Sequence, residues 1–282
     1  MKINSSSIAI VTDSTADVPV ETAESLNISV IPAVLTLDGE TYIDGHDISR
    51  AEFYQRMPDL RTPPTTAVPS TIVFEETYQR LFARGVQRIL SIHLSSKLSG
   101  MVNTAMQVAR NYGDRVKVFD SGQLTLGTGF QAIEAAQLVR NGLDFDQVVS
   151  TAKRIRETAY VVALIDRLEF MRRSGRVNWL RANIGDLLQF KQLVEVKDGL
   201  VHALIRTRTY TKAFEQLISI AFTWRNIKRL AVLHSGAPGK AKELAERVVD
   251  LCPNDLMMVD VTTVIGAHVG PGCVGLAVLT QN

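Results

Sequence analysis

Residues Arg88-Ile89-Leu90-Ser91-Ile92-His93-Leu94 are followed directly by Ser95-Ser96-Lys97-Leu98-Ser99-Gly100. The first seven are mostly apolar, which predicts a short buried strand. Apolar residues at helical spacing over 101–112 predict a helix after the serines. Unpaired N–H groups at the start of a helix attract anions, and serines add short hydrogen-bond donors. The segment therefore predicts an anion site, with the alternative that one serine is only the helix N-cap.

The same strand–loop–helix pattern occurs on both sides of this segment. The apolar run Ile8–Val11 precedes a polar loop that contains Asp13, and Val116–Asp120 precedes a helix. This alternation is typical of a largely parallel sheet. Ligands of such sheets bind at the carboxyl ends of the strands. We therefore expect Asp13, Ser96 and Asp120 to lie along one edge.

The length and composition limit the class of protein. A chain of 282 residues favours two domains, which we place at residues 1–150 and 151–282. The net charge of +2 gives no reason to expect nucleic acid as a partner. Cys252 and Cys273 are too few for a disulfide framework or a cysteine metal site. With no leader pattern and no apolar run that spans a bilayer, we expect a cytoplasmic protein.

Three further segments carry candidate residues. The segment 61–70 contains three prolines, so we expect a stiff loop that presents Thr66 and packs against the C-terminal domain. Leu168–Arg176 is a basic turn with three arginines, either a clamp for a carboxylate or phosphate or simply a solvated face. Ile265–Gly272 is predicted to be a glycine-rich loop in which His268 has a functional role.

Several catalytic patterns are absent from the sequence, including G-x-S-x-G, the phosphate-binding G-x-x-x-x-G-K-[ST] and paired histidines at metal spacing. The hydroxyls, arginines and single histidine therefore favour binding of an anionic head group. The alternative is a serine hydrolase with Ser96 as nucleophile, His268 as base and Asp120 or Asp13 as orienting acid. A docking protein would leave the hydroxyl-bearing loops unexplained.

Six segments together resemble the DegV family of fatty-acid-binding proteins, and the resemblance runs nearly from end to end. The segments are 11–17 (VTDSTAD), 66–70 (Thr66 to Pro69-Ser70), 92–100 (IHLSSKLSG), 118–121 (VFDS), 168–176 (Leu168 to RSGR) and 268–272 (HVGPG). The resemblance implies an α/β fold of two domains. The N-terminal domain has a largely parallel sheet and the C-terminal domain a mixed one.

The resemblance also implies a function. One long-chain, palmitate-like fatty acid would lie in an apolar tunnel, and a separate fatty acid kinase would phosphorylate its carboxylate. The chain would then be a monomeric carrier and not an enzyme, with no cofactor and no metal. The predicted carboxylate-binding residues are Thr66, Ser95, Ser96, Ser99 and His268, and those near the head group or partner are Arg173, Arg176, Arg206 and Gly270.

The chain departs from the family pattern near this predicted site. Ala67-Val68 replaces the Ser-Gln of T-S-Q-P, Met101 replaces the threonine of S-G-T, and Val269 replaces the threonine of H-T-G-P-G. These apolar residues predict a drier head-group pocket or a different contact with the partner.

Overall fold

The computed structural model describes residues 7–177, 180, 190–252 and 256–281, and it is an α/β structure with three sheets. The strands are β1 (Ile8–Asp13), β2 (Ile28–Ile31), β3 (Val34–Leu37), β4 (Glu40–Ile43), β5 (Thr65–Ala67), β6 (Arg88–His93), β7 (Val116–Asp120), β8 (Ala159–Ile165), β9 (Lys191–Lys197), β10 (Leu200–Thr207), β11 (Ile227–His234), β12 (Leu256–Asp260) and β13 (Val274–Thr280). The helices are α1 (Val20–Ser25), α2 (Arg50–Arg56), α3 (Thr71–Ala83), α4 (Met101–Ala109), α5 (Leu126–Arg140), α6 (Phe145–Thr158), α7 (Leu168–Ser174), α8 (Tyr210–Ala221), α9 (Pro238–Val248) and α10 (Thr263–Val269).

The first sheet has the order β2-β1-β6-β7, and all its strands are parallel. Successive side chains of a strand point to opposite faces. Ile8 and Ile10 of β1 accordingly pack with Phe130 of α5, whereas Ala9 and Val11 pack with α3 and α4. With both faces covered, β1 is buried along its length, and its first four residues form the apolar run Ile8–Val11.

The second sheet has the order β10-β9-β8-β13-β11-β12, and only its β11–β12 pair is parallel. Its outer face packs against α8 and α9 through Leu217 and Leu244. Its inner face packs against α5, with Val161 and Ala277 in the same core as Phe130. Helix α5 therefore lies between the two large sheets, and the predicted fold of a parallel N-terminal and a mixed C-terminal sheet is confirmed. The domain boundary at residue 150 stays a prediction.

The third sheet is small and antiparallel, with the order β4-β3-β5. Its β3–β4 turn contains Asp38 and Gly39 at φ of 46° and 91°, the left-handed conformations that a two-residue hairpin turn requires. The proline-rich segment 61–70 contributes β5, a three-residue edge strand that carries Thr66. Prolines on both sides of this strand limit it to the edge of the sheet.

Two predicted elements differ from the structure, and a third segment, rich in β-branched residues over 28–37, is divided. It forms two strands in different sheets, because Pro32 lacks the N–H needed to continue the ladder. The basic turn 168–176 is helix α7, which Gly175 ends at φ 68°. The glycine-rich loop 265–272 is largely helix α10, which the side chain of Thr262 caps. Within that helix, a Cβ at Gly266 would lie 2.5 Å from the Tyr54 hydroxyl, so this glycine permits close packing.

Candidate functional site

A cavity, which we call the outer cavity, lies where β5, the serine loop (residues 95–100), α7 and α10 meet. The polar residues that line it include Thr15, Thr66, Ser99, Ser174, Arg176 and His268. The rest of its wall is mainly apolar and includes Val68, Leu94, Leu98 and Met101.

A second cavity, which we call the inner cavity, lies against the second sheet. Its surface is almost entirely apolar, formed by residues such as Val161, Ala163, Val194 and Leu233. The two cavities adjoin, since the same five apolar residues line both. These are Leu124, Met171, Val201, Ile265 and Val269.

Thr66 and His268 form a hydrogen-bonded pair in the outer cavity. The Thr66 Oγ1 atom lies 2.9 Å from His268 Nε2, although the two residues are 202 positions apart in the chain. Burial, together with the positive charge of Arg176, lowers the pKa of His268 to about 4. The imidazole is therefore neutral at pH 7, and the pair offers one neutral hydrogen-bonding unit to a ligand.

Ser99 and Arg176 complete the polar side of this cavity. Ser99 lies in the serine loop, and its hydroxyl accepts a 3.3 Å hydrogen bond from the N–H of Met101. The hydroxyl proton is therefore available to donate to a ligand in the cavity. Arg176 follows the glycine that ends α7, and its Nη1 donates to the carbonyl of Ser174 at 2.7 Å. Arg176 is exposed while it lines the cavity, so the cationic group stands at the solvent side.

The two preceding serines, Ser95 and Ser96, do not line either cavity, and their role in binding the carboxylate stays a prediction. The Ser95 hydroxyl is buried and donates to the Gly199 carbonyl at 2.7 Å, which joins the serine loop to the β9–β10 turn. The Ser96 hydroxyl donates to Asp120 Oδ2 at 2.5 Å, and the Ser96 N–H donates to Oδ1 of the same carboxylate at 3.3 Å. Both hydroxyls therefore serve to hold loops together.

The same contacts argue against the predicted hydrolase. A nucleophilic serine needs its hydroxyl on the base, and the base in turn needs an orienting acid. Here Ser96 bonds directly to Asp120, while His268 bonds to Thr66. The other candidate acid, Asp13, bonds to the Nδ1 atom of buried His93 at 2.9 Å. The predicted relay from Ser96 through His268 to an acid is therefore not assembled.

The predicted partner-facing residues fall into two groups. Arg173 and Arg206 are exposed, and the Arg206 guanidinium lies 4.9 Å from the centre of the Phe190 ring. Their role in contacting a partner stays a prediction. Gly270 is buried instead, with its carbonyl accepting from the Ser235 hydroxyl at 2.6 Å. A Cβ at this position would lie 2.3 Å from the Phe170 ring, so Gly270 allows close packing, and its role in facing a partner stays a prediction.

Thr15 is a lining residue that the sequence did not single out. Its backbone N–H donates to Asp13 Oδ1 at 3.1 Å, and its hydroxyl bonds to the same oxygen. Asp13 in turn joins a buried chain through His93 and Ser91 to Tyr78. The polar motif that begins at Asp13 thus fixes one wall of the outer cavity. The position of this motif directly after a buried strand is the sequence feature that could have identified Thr15 as a lining residue.

The described residues contain neither a cluster that could hold a metal ion nor a helix that could cross a membrane. No group of three or more histidine, cysteine, aspartate or glutamate side chains in residues 7–177, 180, 190–252 and 256–281 is arranged to hold a metal ion. In the same part of the chain, every helix is too short or too polar to traverse a bilayer.

Comparisons with known proteins agree on one family. The matching family model is described as "Uncharacterised protein, DegV family" and covers residues 7–281. A DegV domain-containing protein of Streptomyces coelicolor is 35% identical over 278 residues, which are 97% of this chain and 99% of that protein. Another from Deinococcus radiodurans is 34% identical over 281 residues, 96% of this chain and 98% of that protein.

Solved structures give the same result. One is a DegV family protein from Thermus thermophilus for which fatty acid binding is described. It superposes with a TM-score of 0.89 and 30% identity, and the match covers 97% of this chain and 99% of that one. DegV of Bacillus subtilis, described as a fatty acid binding protein, gives a TM-score of 0.85 and 28% identity, with the same coverage of 97% and 99%.

Proposed function

The chain belongs to the DegV family, and we propose that it binds one long-chain fatty acid as a carrier, not as an enzyme. The carboxyl group occupies the outer cavity and the acyl tail extends into the inner cavity. The observation that carries this proposal is the pair of adjoining cavities, one with a polar side and one with an apolar wall. The fatty acid binding described for the relatives from Thermus thermophilus and Bacillus subtilis supports it.

The polar side of the outer cavity fits a carboxylate. Thr66 and Ser99 supply hydroxyl groups, His268 supplies an imidazole, and Arg176 supplies a positive charge. Donors to an ionised group make stronger hydrogen bonds than donors to a neutral one. A carboxylate needs such partners because burial without them is costly. This set therefore fixes the head group and its orientation.

The inner cavity accounts for most of the affinity. Each buried CH₂ group contributes about 0.8 kcal/mol, so a sixteen-carbon tail contributes on the order of 10 kcal/mol before the cost of ordering. The wall contains no polar surface of consequence, which suits a tail that has no hydrogen-bonding groups. Apolar Ala67, Val68 and Met101 also line the outer cavity, in place of the family's polar residues.

Native mass spectrometry followed by denaturing extraction tests this function. We expect one co-purifying long-chain fatty acid per chain, or stoichiometric uptake of added hexadecanoate by delipidated protein. A protein that neither carries nor takes up a fatty acid would contradict the proposal. Steady hydrolysis of an ester substrate that Ser96→Ala abolishes would instead favour the hydrolase.

We further infer that the carrier presents the carboxyl group to a separate fatty acid kinase, from its family membership and from the exposed arginines beside the cavity. The test combines the loaded protein with a bacterial fatty acid kinase and ATP and measures acyl phosphate. Arg173→Glu should slow product formation without changing the Kd for hexadecanoate. The matched charge reversal Arg154→Glu, on an exposed position of α6, should change neither quantity. Equal rates for both variants would contradict a partner contact at Arg173.

A further inference from the structure

We infer that a fatty acid binds to the outer cavity together with one proton, which His268 and the bound carboxyl group share. This inference rests on the proposed function, since it concerns how the same cavity accepts the charge of its ligand. It assigns His268 a role beyond that of a fixed hydrogen-bonding group.

The charges that line the outer cavity are few. Arg176 and His268 are the two ionisable side chains among the described residues that line it, and no carboxylate lines it. Arg176 is exposed and its guanidinium is partly satisfied by the Ser174 carbonyl. Among the described residues, a carboxylate that enters this cavity therefore meets one solvent-side cation and otherwise neutral groups.

Within the part of the chain that the structure describes, the elements packed against α10 bring no second charge to His268. Helix α10 contacts α2, α7, β3 and β5, and the two strands carry no ionisable residue. Asp17, Asp44 and Arg50 gather at the opposite end of α10, where Asp17 Oδ1 accepts from the N–H of Thr262. The remaining charged residues of α2 and α7 do not line the outer cavity: Glu52, Arg56, Glu169, Arg172 and Arg173.

Neither partner carries the proton before binding. Burial and the charge of Arg176 hold the pKa of His268 at about 4, so the empty site is neutral there at pH 7. A free carboxyl group has an ordinary pKa near 4 and is ionised at the same pH. In the complex, the negative charge of the ligand offsets the cost of a buried imidazolium and favours protonation. Binding at neutral pH therefore takes a proton from solvent.

The Thr66 hydroxyl explains how the proton strengthens binding. A neutral imidazole can accept from Thr66 through Nε2, which would turn the hydroxyl proton away from the ligand. Both nitrogens of a protonated imidazole are donors. His268 Nε2, 2.9 Å from Thr66 Oγ1, must then donate to it, which frees the Thr66 proton for the carboxylate.

Calorimetry of delipidated protein with hexadecanoate carried by β-cyclodextrin tests the inference. Titrations at pH 7 in two buffers of different ionisation enthalpy give the number of protons taken up, which we expect to approach one. Because one proton corresponds to a tenfold change per pH unit, the Kd should rise up to tenfold between pH 7 and 8. Equal heats in both buffers and a flat Kd would overturn the inference. A protein that binds no hexadecanoate at any pH would contradict the proposed function instead.

Two histidine variants locate the proton. His268→Gln keeps a polar side chain without a titratable ring, so it should abolish proton uptake and flatten the pH dependence of the Kd. His202→Gln, on an exposed position of β10 outside both cavities, should keep the wild-type slope. A His268→Gln protein that still takes up one proton would overturn the assignment. If that variant fails to fold, the two-buffer experiment on the wild-type protein decides alone.

Discussion

The outer and inner cavities adjoin, yet their walls are chemically opposite. Hydroxyls, an imidazole and a guanidinium line part of the outer cavity, whereas polar atoms near the inner cavity bond away from it. The Ser235 hydroxyl, for example, donates to the Gly270 carbonyl, and Asp260 Oδ1 lies 3.1 Å from His234 Nδ1. The difference separates two tasks: the inner cavity provides affinity through burial, and the outer cavity provides orientation through hydrogen bonds.

Filling the inner cavity should have the largest effect. Ala163→Phe places a ring where the tail is expected, and each CH₂ group that it excludes weakens binding about fourfold. We expect the Kd for hexadecanoate, measured by calorimetry, to rise at least about a hundredfold. Ala203→Phe makes the same change on an exposed position of β10 and should leave the Kd unchanged. Unaltered affinity in a folded Ala163→Phe protein would mean that the tail lies elsewhere.

Removing one donor from the outer cavity should have a smaller effect. Thr66→Val preserves the shape of the side chain and deletes its hydroxyl, which costs about 1.5 kcal/mol for a hydrogen bond to a charged group. The Kd should rise about tenfold by the same calorimetric assay. Thr65→Val, at the neighbouring exposed position of β5, is the matched control. A Thr66→Val protein that loses binding altogether would show that the head group dominates.

The helix shared by both cavities should make the stability of the protein depend on pH. Burial raises the pKa of Asp17, which accepts from the first turn of α10, to about 7. The folded protein thus holds this proton more tightly than the unfolded chain. The free energy of unfolding should therefore fall as pH rises from about 4 to 7, by up to about 1.4 kcal/mol per pH unit.

Urea denaturation at several pH values measures this slope. Asp17→Asn keeps an acceptor for the N–H of Thr262, and asparagine tolerates the left-handed backbone at φ 55°. Because asparagine does not titrate, this variant should lose the part of the pH dependence of the unfolding free energy that comes from Asp17. Asp59→Asn, at an exposed position, should leave the slope as in the wild type. An Asp17→Asn protein with the wild-type slope would contradict the assignment.

The smallest effect on binding should come from the serine that lies outside both cavities. Ser96→Ala removes the bond to Asp120, which should lower the free energy of unfolding by about 1 kcal/mol and change the Kd less than twofold. Ser99→Ala should do the reverse, because Ser99 lines the outer cavity. Parallel denaturation and calorimetry of the two variants make the comparison. A Kd that rises more in Ser96→Ala would return Ser96 to the binding site.

The sequence predicted the fold better than the site. Apolar runs located β6 and β7, and the helical spacing over 101–112 located α4. The residues of a single segment determine whether it forms a strand or a helix, so these elements can be predicted from that segment alone. Helix α10 was not predicted, because Gly266 and the glycines that follow the helix are typical of a loop. The reason for a glycine at position 266, its close packing against Tyr54, is visible only in the structure.

The roles of the serines were not predictable for a related reason. Ser95, Ser96 and Ser99 are chemically equal along the chain, and only distant partners such as Gly199 and Asp120 distinguish them. The apolar walls were equally hidden, since a side chain that lines a cavity has the same sequence pattern as one in the core. Thr66 and His268 could be selected from their proline-rich and glycine-rich segments, but their contact could not be predicted, because it spans 202 positions.

A crystal structure of the protein with 16-bromohexadecanoate tests the division between the two cavities most directly. Anomalous scattering locates the bromine at the tail end, and the electron density shows the carboxyl group at the other end. We expect the bromine among Val161, Val194 and Leu233, and the carboxyl group beside Thr66 and His268. A bromine at the solvent side near Arg176, or a carboxyl group in the inner cavity, would contradict the central claim.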